Sequence, residues 1–228
     1  DVAKNGDKSD PYDGGIAGDN SKGKFLGQIA YGSPQWQVSA AYAYSQKGMT
    51  IGGAGTNAAL NAEYSDANQF NLNAYYQPLD NGWMPSISVG WSLTSLNNDI
   101  KNSDGTTGFQ DGNVTQSQGW LVGLNWQDAF MRGNRLGFAV GQPQFATALK
   151  NQGNTNKDGT KVSYADDGNY AMELYYDFQV TDNITVTPAV FYLSRPFGQE
   201  TGSSYKTGGE GADTFSTLGG LVKTTFKF

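Results

Sequence analysis

Three observations on this sequence predict an all-β fold, a transmembrane antiparallel meander β-barrel. Nine stretches alternate apolar with small polar residues at a period of two. The connections between them alternate strictly between long and short. Trp, Tyr and Phe collect at the ends of the stretches, where an interfacial belt needs amphipathic rings.

Composition agrees and narrows the function classes. The chain has 228 residues, enough for one large all-β unit or two small domains. Glycine numbers 31, aromatics reach 13% and charged residues only 16%, below the roughly 25% of a soluble chain. A formal charge of −6 disfavours a nucleic-acid partner. With no cysteine there is no disulfide framework, and with no histidine the commonest general base and metal ligand are absent. The N-terminal DVAKNGDKSDPYDGG is polar and turn-rich, unlike a signal peptide. No run of 18 apolar residues exists, so a transmembrane helix is not expected. A strand that faces lipid on one side needs only alternate residues apolar.

Residues 1–21 read as a loop. A first strand is predicted over Lys24–Tyr31, with Phe25, Ile29 and Tyr31 on one face and Leu26 breaking the alternation. After Gly32-Ser33-Pro34, a second carries Trp36, Val38, Ala40, Tyr42 and Tyr44 against Gln37, Ser39, Ala41, Ala43 and Ser45. Residues 46–67 form a long Gly/Ala/Asn-rich link. The third strand sets Phe70, Leu72, Ala74 and Tyr76 against Gln69, Asn71, Asn73 and Tyr75. A short connection, 77–82, leads to Trp83, Pro85, Ile87, Val89, Trp91 and Leu93 opposed by Ser86, Ser88, Gly90, Ser92 and Thr94. Residues 95–116 are polar and aspartate-bearing.

The fifth strand has Trp120, Val122, Leu124 and Trp126 on one side. Residues 127–134 connect it to Leu136, Phe138 and Val140, which alternate with Gly137, Ala139 and Gly141. The link 142–169 is long, with a short helical or folded-in piece expected at 143–150. The seventh strand places Tyr170, Met172, Leu174, Tyr176 and Phe178 against Ala171, Glu173, Tyr175, Asp177 and Gln179. Thr181-Asp182-Asn183 is a tight hairpin turn. Ile184, Val186, Pro188, Val190 and Tyr192 follow, and 195–214 is a Gly/Ser/Glu loop. The last strand, FSTLGGLVKTTFKF at 215–228, alternates with a blur at Leu221 and ends on Phe226 and Phe228.

Short and long connections thus fall at opposite ends, the polarity of short periplasmic turns and long extracellular loops in the bacterial outer membrane. Single-chain bacterial barrels have even strand counts. Nine strands therefore read as the C-terminal part of one larger barrel, with residues 1–228 a single unit and the preceding strands outside it.

The apolar series is expected to face lipid and the Gln/Asn/Ser/Thr/Gly series a water-filled lumen. Trp36, Tyr76, Trp83, Trp126, Tyr176, Phe178, Phe226 and Phe228 are the expected girdle near the short turns, and Tyr44, Leu93, Tyr170 and Tyr192 mark the other level. A sandwich core would also bury such aromatics but does not need them at strand ends. Glu173, Asp177, Tyr75, Tyr175 and Lys223 are the pore-lining candidates. Glu173 and Asp177 lie about 13 Å apart along a strand, beyond the roughly 5–9.5 Å of a paired-carboxylate hydrolytic site. No nucleophile elbow, phosphate loop or dinucleotide fingerprint is present, so an enzyme is not expected. Gln144, Phe145, Leu149 and Lys150 are candidates for a constricting loop, with a small extracellular helix the equal alternative. Asp99, Asp104, Asp111, Asp158, Asp166 and Asp167 keep the Asn/Gly company of calcium ligands without matching a calcium-loop pattern, so no cofactor is expected; a diffuse acidic vestibule drawing in cations is the main reading and a loop-bound calcium the minor one.

The string DGNYAMELYYDFQVTDNITVTPAVFYLSRPFG at 167–198 resembles the end of the carbohydrate-selective OprB-type porin family, in particular its cyanobacterial major outer-membrane porin branch. FLGQIAYGSPQWQVSAAYAYS and QGWLVGLNWQDAFMRGNRLGFAVGQP resemble strand–turn–strand units of that branch. The resemblance implies sixteen strands, of which these nine would be the eighth to the sixteenth, and a homotrimer. It also implies an N-terminal surface-layer-homology domain, to be sought outside residues 1–228. The terminal strand ending at Phe228 is similar to the insertion signal that outer-membrane proteins present to the barrel assembly machinery. Expected partners are the lipid bilayer, lipopolysaccharide and ions or small polar solutes. The function implied is passive diffusion of inorganic ions and small polar solutes, with sugars left open. The alternatives are a non-conducting barrel serving as receptor, adhesin or envelope tether, and a soluble all-β binding module.

Overall fold

The computed structural model describes residues 3–4, 21–46, 55–56, 59, 66–79, 83–97, 113–150, 167–196, 198 and 216–227. Two short strands, β1 (Ala3–Lys4) and β2 (Ser21–Lys22), pair with each other. The remaining nine are β3 (Lys24–Ser33), β4 (Trp36–Ser45), β5 (Ala67–Tyr76), β6 (Ser86–Leu96), β7 (Val114–Gln127), β8 (Arg135–Leu149), β9 (Tyr170–Thr181), β10 (Ile184–Ser194) and β11 (Ser216–Phe226). They form one nine-stranded sheet in sequence order, β3 through β11, with every ladder antiparallel.

The sheet is open, and this corrects the expected barrel. β3 and β11 are its two edges and do not pair with one another. Alternation along a strand fixes which face each side chain takes, and short turns fix neighbour order. Closure depends instead on strand tilt and accumulated stagger, which neither pattern encodes.

Within the open sheet the predicted faces hold. Directly paired residues point to the same side. One row therefore runs Val38, Ala74, Val89, Val122, Val140, Met172, Tyr192, Leu218 across eight strands. The opposite side carries a parallel row of Ser39, Asn73, Gly90, Leu121, Gly141, Ala171, Leu193 and Thr217. The apolar side is open to its surroundings, with Ile29 at 74% and Val222 at 70% exposure. No second described layer covers it, which is the reverse of a soluble sandwich. An apolar surface this continuous marks a membrane or partner contact. Among the described residues no helix is long and apolar enough to cross a membrane.

Strand bounds differ from the sequence reading where polar residues interrupt the period. β7 begins at Val114 and β8 runs on to Leu149, so 143–149 is strand and not a helical or folded-in piece. Register shifts near Gln116, Ser117 and Gln118 account for the lost alternation. β6 starts at Ser86, just past Pro85, whose missing N–H cannot join a ladder. The β7–β8 turn has Asp128 and Phe130 at positive φ. Buried Asn134 ties it to β9: its Nδ2 donates to Tyr176 Oη at 2.7 Å, and its Oδ1 accepts from Gln179 N at 3.0 Å. The one buried apolar cluster among the described residues is small, comprising Ala67, Leu96, Val114 and Ala146 with Leu149 against it. It lies at the long-link end.

Candidate solute-facing site on the polar side of the sheet

The polar side divides into three levels. At the short-turn end Arg135 faces Asp177 across the β8–β9 ladder. Arg135 Nε donates to Asp177 Oδ2 at 2.8 Å, its Nη2 donates to the same oxygen, and Thr187 Oγ1 donates to Oδ1 at 2.6 Å. Lys223, exposed on β11, pairs with Thr187 in the next ladder. Tyr175 accepts a hydrogen bond from Asn125 Nδ2 at 3.0 Å, and Arg135 stands 5.9 Å from its ring centre. The far end of that ring occupies the space a side chain at Gly137 would need. Tyr75, opposite Ser88, is on the same side.

At mid-height the surface forms a concavity of about 680 Å³. Small residues make its floor, Gly90, Gly119, Ala139, Gly141 and Ala171 among them, and Asn71, Asn73 and Ser92 supply one polar wall. Glu173 and Phe191, directly paired, supply the other.

At the long-link end the polar side is covered. Ser45, Gln69, Thr94, Ser117 and Ala146 are buried there. The chain between β4 and β5 reaches β8 at this level: Gly55 makes a parallel bridge with Gln144, and Thr56 N donates to Gln144 O at 2.8 Å. Beyond Gly141 the ladder from β8 to β9 has ended, so β8 needs other partners here. Asp167, with no exposed surface, provides one, accepting from Ala146 N at 2.7 Å and from Thr56 Oγ1 through the same oxygen. Gly198, at φ +62°, packs so closely on Asp167 Oδ1 and Thr56 Cγ2 that no side chain fits. Gln144 is itself fixed: its Nε2 donates to Thr94 Oγ1 at 2.8 Å and Ser117 Oγ at 2.9 Å, and its Oε1 accepts from Ser92 Oγ at 3.1 Å. Three links, after β4, β8 and β10, thus meet at one buried carboxylate.

A sheet apolar on one side and small and polar on the other is what a wall between lipid and water requires. The profile of the family described as "Carbohydrate-selective porin, OprB family" matches residues 3–228. The chain belongs to that family. An uncharacterized protein of Nostoc sp., alr4550, is 25% identical over 175 residues, 77% of this chain and 24% of that protein. An uncharacterized protein of Synechocystis sp., sll0772, is 26% identical over 188 residues, 75% of this chain and 32% of that protein. The chain therefore spans about a quarter to a third of the length of these curated relatives. OprB membership places the chain in a porin-type, outer-membrane family, a setting consistent with transport.

In this OprB-family chain the apolar side carries ring-bearing residues at both levels. Trp36 pairs with Tyr76, Trp126 and Tyr176 both pair with Leu136, and Phe226 pairs with Ile184. Trp126 Nε1 donates to Trp83 O at 3.0 Å, and Tyr176 Oη donates to Ala129 O at 2.9 Å. Phe178 is on the same side, opposite Val186, while Phe228 lies outside the described residues. At the other level Tyr42 Oη donates to Asn68 Oδ1 and Tyr44 Oη to Asp66 Oδ2, each at 2.7 Å. Where glutamines intrude on the apolar side their carbonyl oxygens accept from indole N–H groups: Trp91 Nε1 donates to Gln118 Oε1 at 3.3 Å, and Trp120 Nε1 to Gln142 Oε1 at 2.7 Å. A surface facing hydrocarbon requires this.

Of the constriction candidates, Gln144 alone takes part in the covered level, as the anchor for Gly55 and Thr56. Phe145 pairs with Gln118 on the apolar side, Leu149 packs on the buried cluster, and Lys150 N donates to Asn113 O at the end of the hairpin. The sequence reading missed Thr56 and placed Asp167 only among acidic loop residues. Asp99, Asp104, Asp111, Asp158 and Asp166 lie outside the described residues, and no group of three metal-ligating side chains occurs within them.

Proposed function

We propose that this chain is the C-terminal section of an outer-membrane porin, and that inorganic ions and small polar solutes, sugars among them, diffuse passively along its polar side. The long links face the cell exterior and the short turns the periplasm. The observation that carries the reading is the two-sided row structure, with an apolar row one residue away from a row in which Ser, Asn, Gly and Ala predominate across the central strands. Gly55, Thr56 and Asp167 narrow the conduit at its outer end. Assembly as a trimer, contact with lipopolysaccharide and recognition of the last strand by the assembly machinery belong to the same reading.

Planar-bilayer recording on the complete native protein tests it, with asymmetric salt to read selectivity. Stepwise openings in threes and a modest cation-side reversal potential are expected. The modesty follows from pairing: Arg135 offsets Asp177, whereas Glu173 makes no ion pair among the described residues. Glu173→Gln should therefore move the reversal potential toward zero, and Arg135→Gln, which unmasks Asp177, should move it further to the cation side. Verified insertion without conductance would remove the diffusion reading and favour a receptor or tether.

A further inference from the structure

The polar side breaks its own rule around one carboxylate. Leu121, Phe191 and Leu193 are apolar residues on a mostly small and polar surface, and all three line the concavity that holds Glu173, whereas Leu26 and Leu221, on the same side, do not. In the ladders Glu173 stands between Ala139 and Phe191, and the adjacent row reads Leu121, Gly141, Ala171, Leu193. Glu173 is exposed and has no cationic partner among the described residues. The end of the Phe191 ring covers Gly219 on β11, which holds the ring on this side of the sheet, leaning to the flank of β10 away from Glu173.

A hydrated metal ion gains little here. Calcium and magnesium call for about six oxygen ligands, and Glu173 offers one carboxylate, with no cluster of three acidic or histidine ligands among the described residues. A cation with an apolar body gains from every group present. Its charge meets the Glu173 carboxylate, and its apolar body reaches the Phe191 ring at the far side of the concavity. Its methylenes lie on Leu193, with Gly141 and Ala171 leaving the floor open.

We propose that the Glu173–Phe191 concavity is a binding site for small organic cations, specifically alkylammonium ions of a few carbons. The proposal rests on the polar side being solute-facing, but its test does not need the channel to conduct.

The test is isothermal titration of n-butylammonium chloride into the complete native protein in detergent micelles at low ionic strength, with sodium chloride as competitor. Saturable binding that sodium displaces poorly is expected. Glu173→Gln should weaken it by about tenfold or more, the loss of a charge-assisted contact. Phe191→Ala should weaken it about two- to fivefold, the loss of apolar surface under the alkyl chain. Both side chains project from the solvated side, and retention of the wild-type circular dichroism spectrum checks that each variant is folded. Equal butylammonium affinity in wild type and Glu173→Gln, or one-for-one competition by sodium, would overturn the site. Binding without conductance would leave the site standing and remove the diffusion reading. Conductance without binding would do the reverse.

Discussion

Asp167→Ala is expected to lower stability by about 3 kcal/mol and to detach the β4–β5 link from β8. The carboxylate is fully buried and takes hydrogen bonds from Ala146 N and Thr56 Oγ1. Removing it leaves a buried N–H and hydroxyl without that acceptor, each costing about 1–3 kcal/mol. Asp167→Asn keeps shape and one acceptor oxygen but gives up the charge, so its cost should be roughly half. Gly198→Ala should be comparably damaging, because a Cβ there meets Asp167 Oδ1 and Thr56 Cγ2 and the backbone is at φ +62°. Part of that damage should vanish in an Asp167→Ala background, since the colliding oxygen is gone. Denaturant titration in lipid measures the stabilities. Proteolysis within 46–66 reports release of the link, and larger unit conductance reports a widened conduit. Unchanged stability and proteolysis in Asp167→Ala would show that the three links do not depend on this carboxylate.

Val89→Arg is expected to cost about 2–4 kcal/mol in a bilayer, the depth-dependent penalty for a cation on a lipid-facing strand position near the midplane. Val89 is exposed on the apolar side, between Ala74 and Val122. Ser88→Arg, one residue away, faces Tyr75 and Gly123 on the polar side and should change stability by less than about 1 kcal/mol. Refolding into vesicles at graded denaturant gives both numbers under one condition. Equal penalties at the two positions would mean that neither side of β6 faces lipid.

What the sequence made legible was local. Period-two alternation placed Glu173, Asp177, Tyr75, Tyr175 and Lys223 on one side and the girdle rings on the other, because a strand side chain has only two directions. Tight turns such as Thr181-Asp182-Asn183 fixed neighbour order for the same kind of reason. What failed was non-local. Sheet closure depends on tilt and stagger summed over all strands, and no single strand records it. Thr56 and Asp167 are 111 residues apart, and a Gly-Thr-Asn run in a Gly/Ala-rich link carries no mark of its partner. Nor did the carboxylate pair at i and i+4 reveal that Asp177 would be neutralised by Arg135 from another strand while Glu173 would not. The bulged stretch near Gln118 and Gln142 hid the upper halves of β7 and β8, because glutamines held by Trp91 and Trp120 look like loop.

The most direct measurement uses the absence of cysteine from these 228 residues. Single cysteines at positions 87 to 93 of β6, labelled with a fluorophore in reconstituted vesicles, are quenched in turn by brominated lipid and by a water-soluble quencher. A two-sided wall predicts that labels at Ile87, Val89, Trp91 and Leu93 are quenched from lipid, and those at Ser88, Gly90 and Ser92 from water. Quenching without alternation, or alternation of the opposite phase, would contradict the assignment of lipid and solute to the two sides of this sheet.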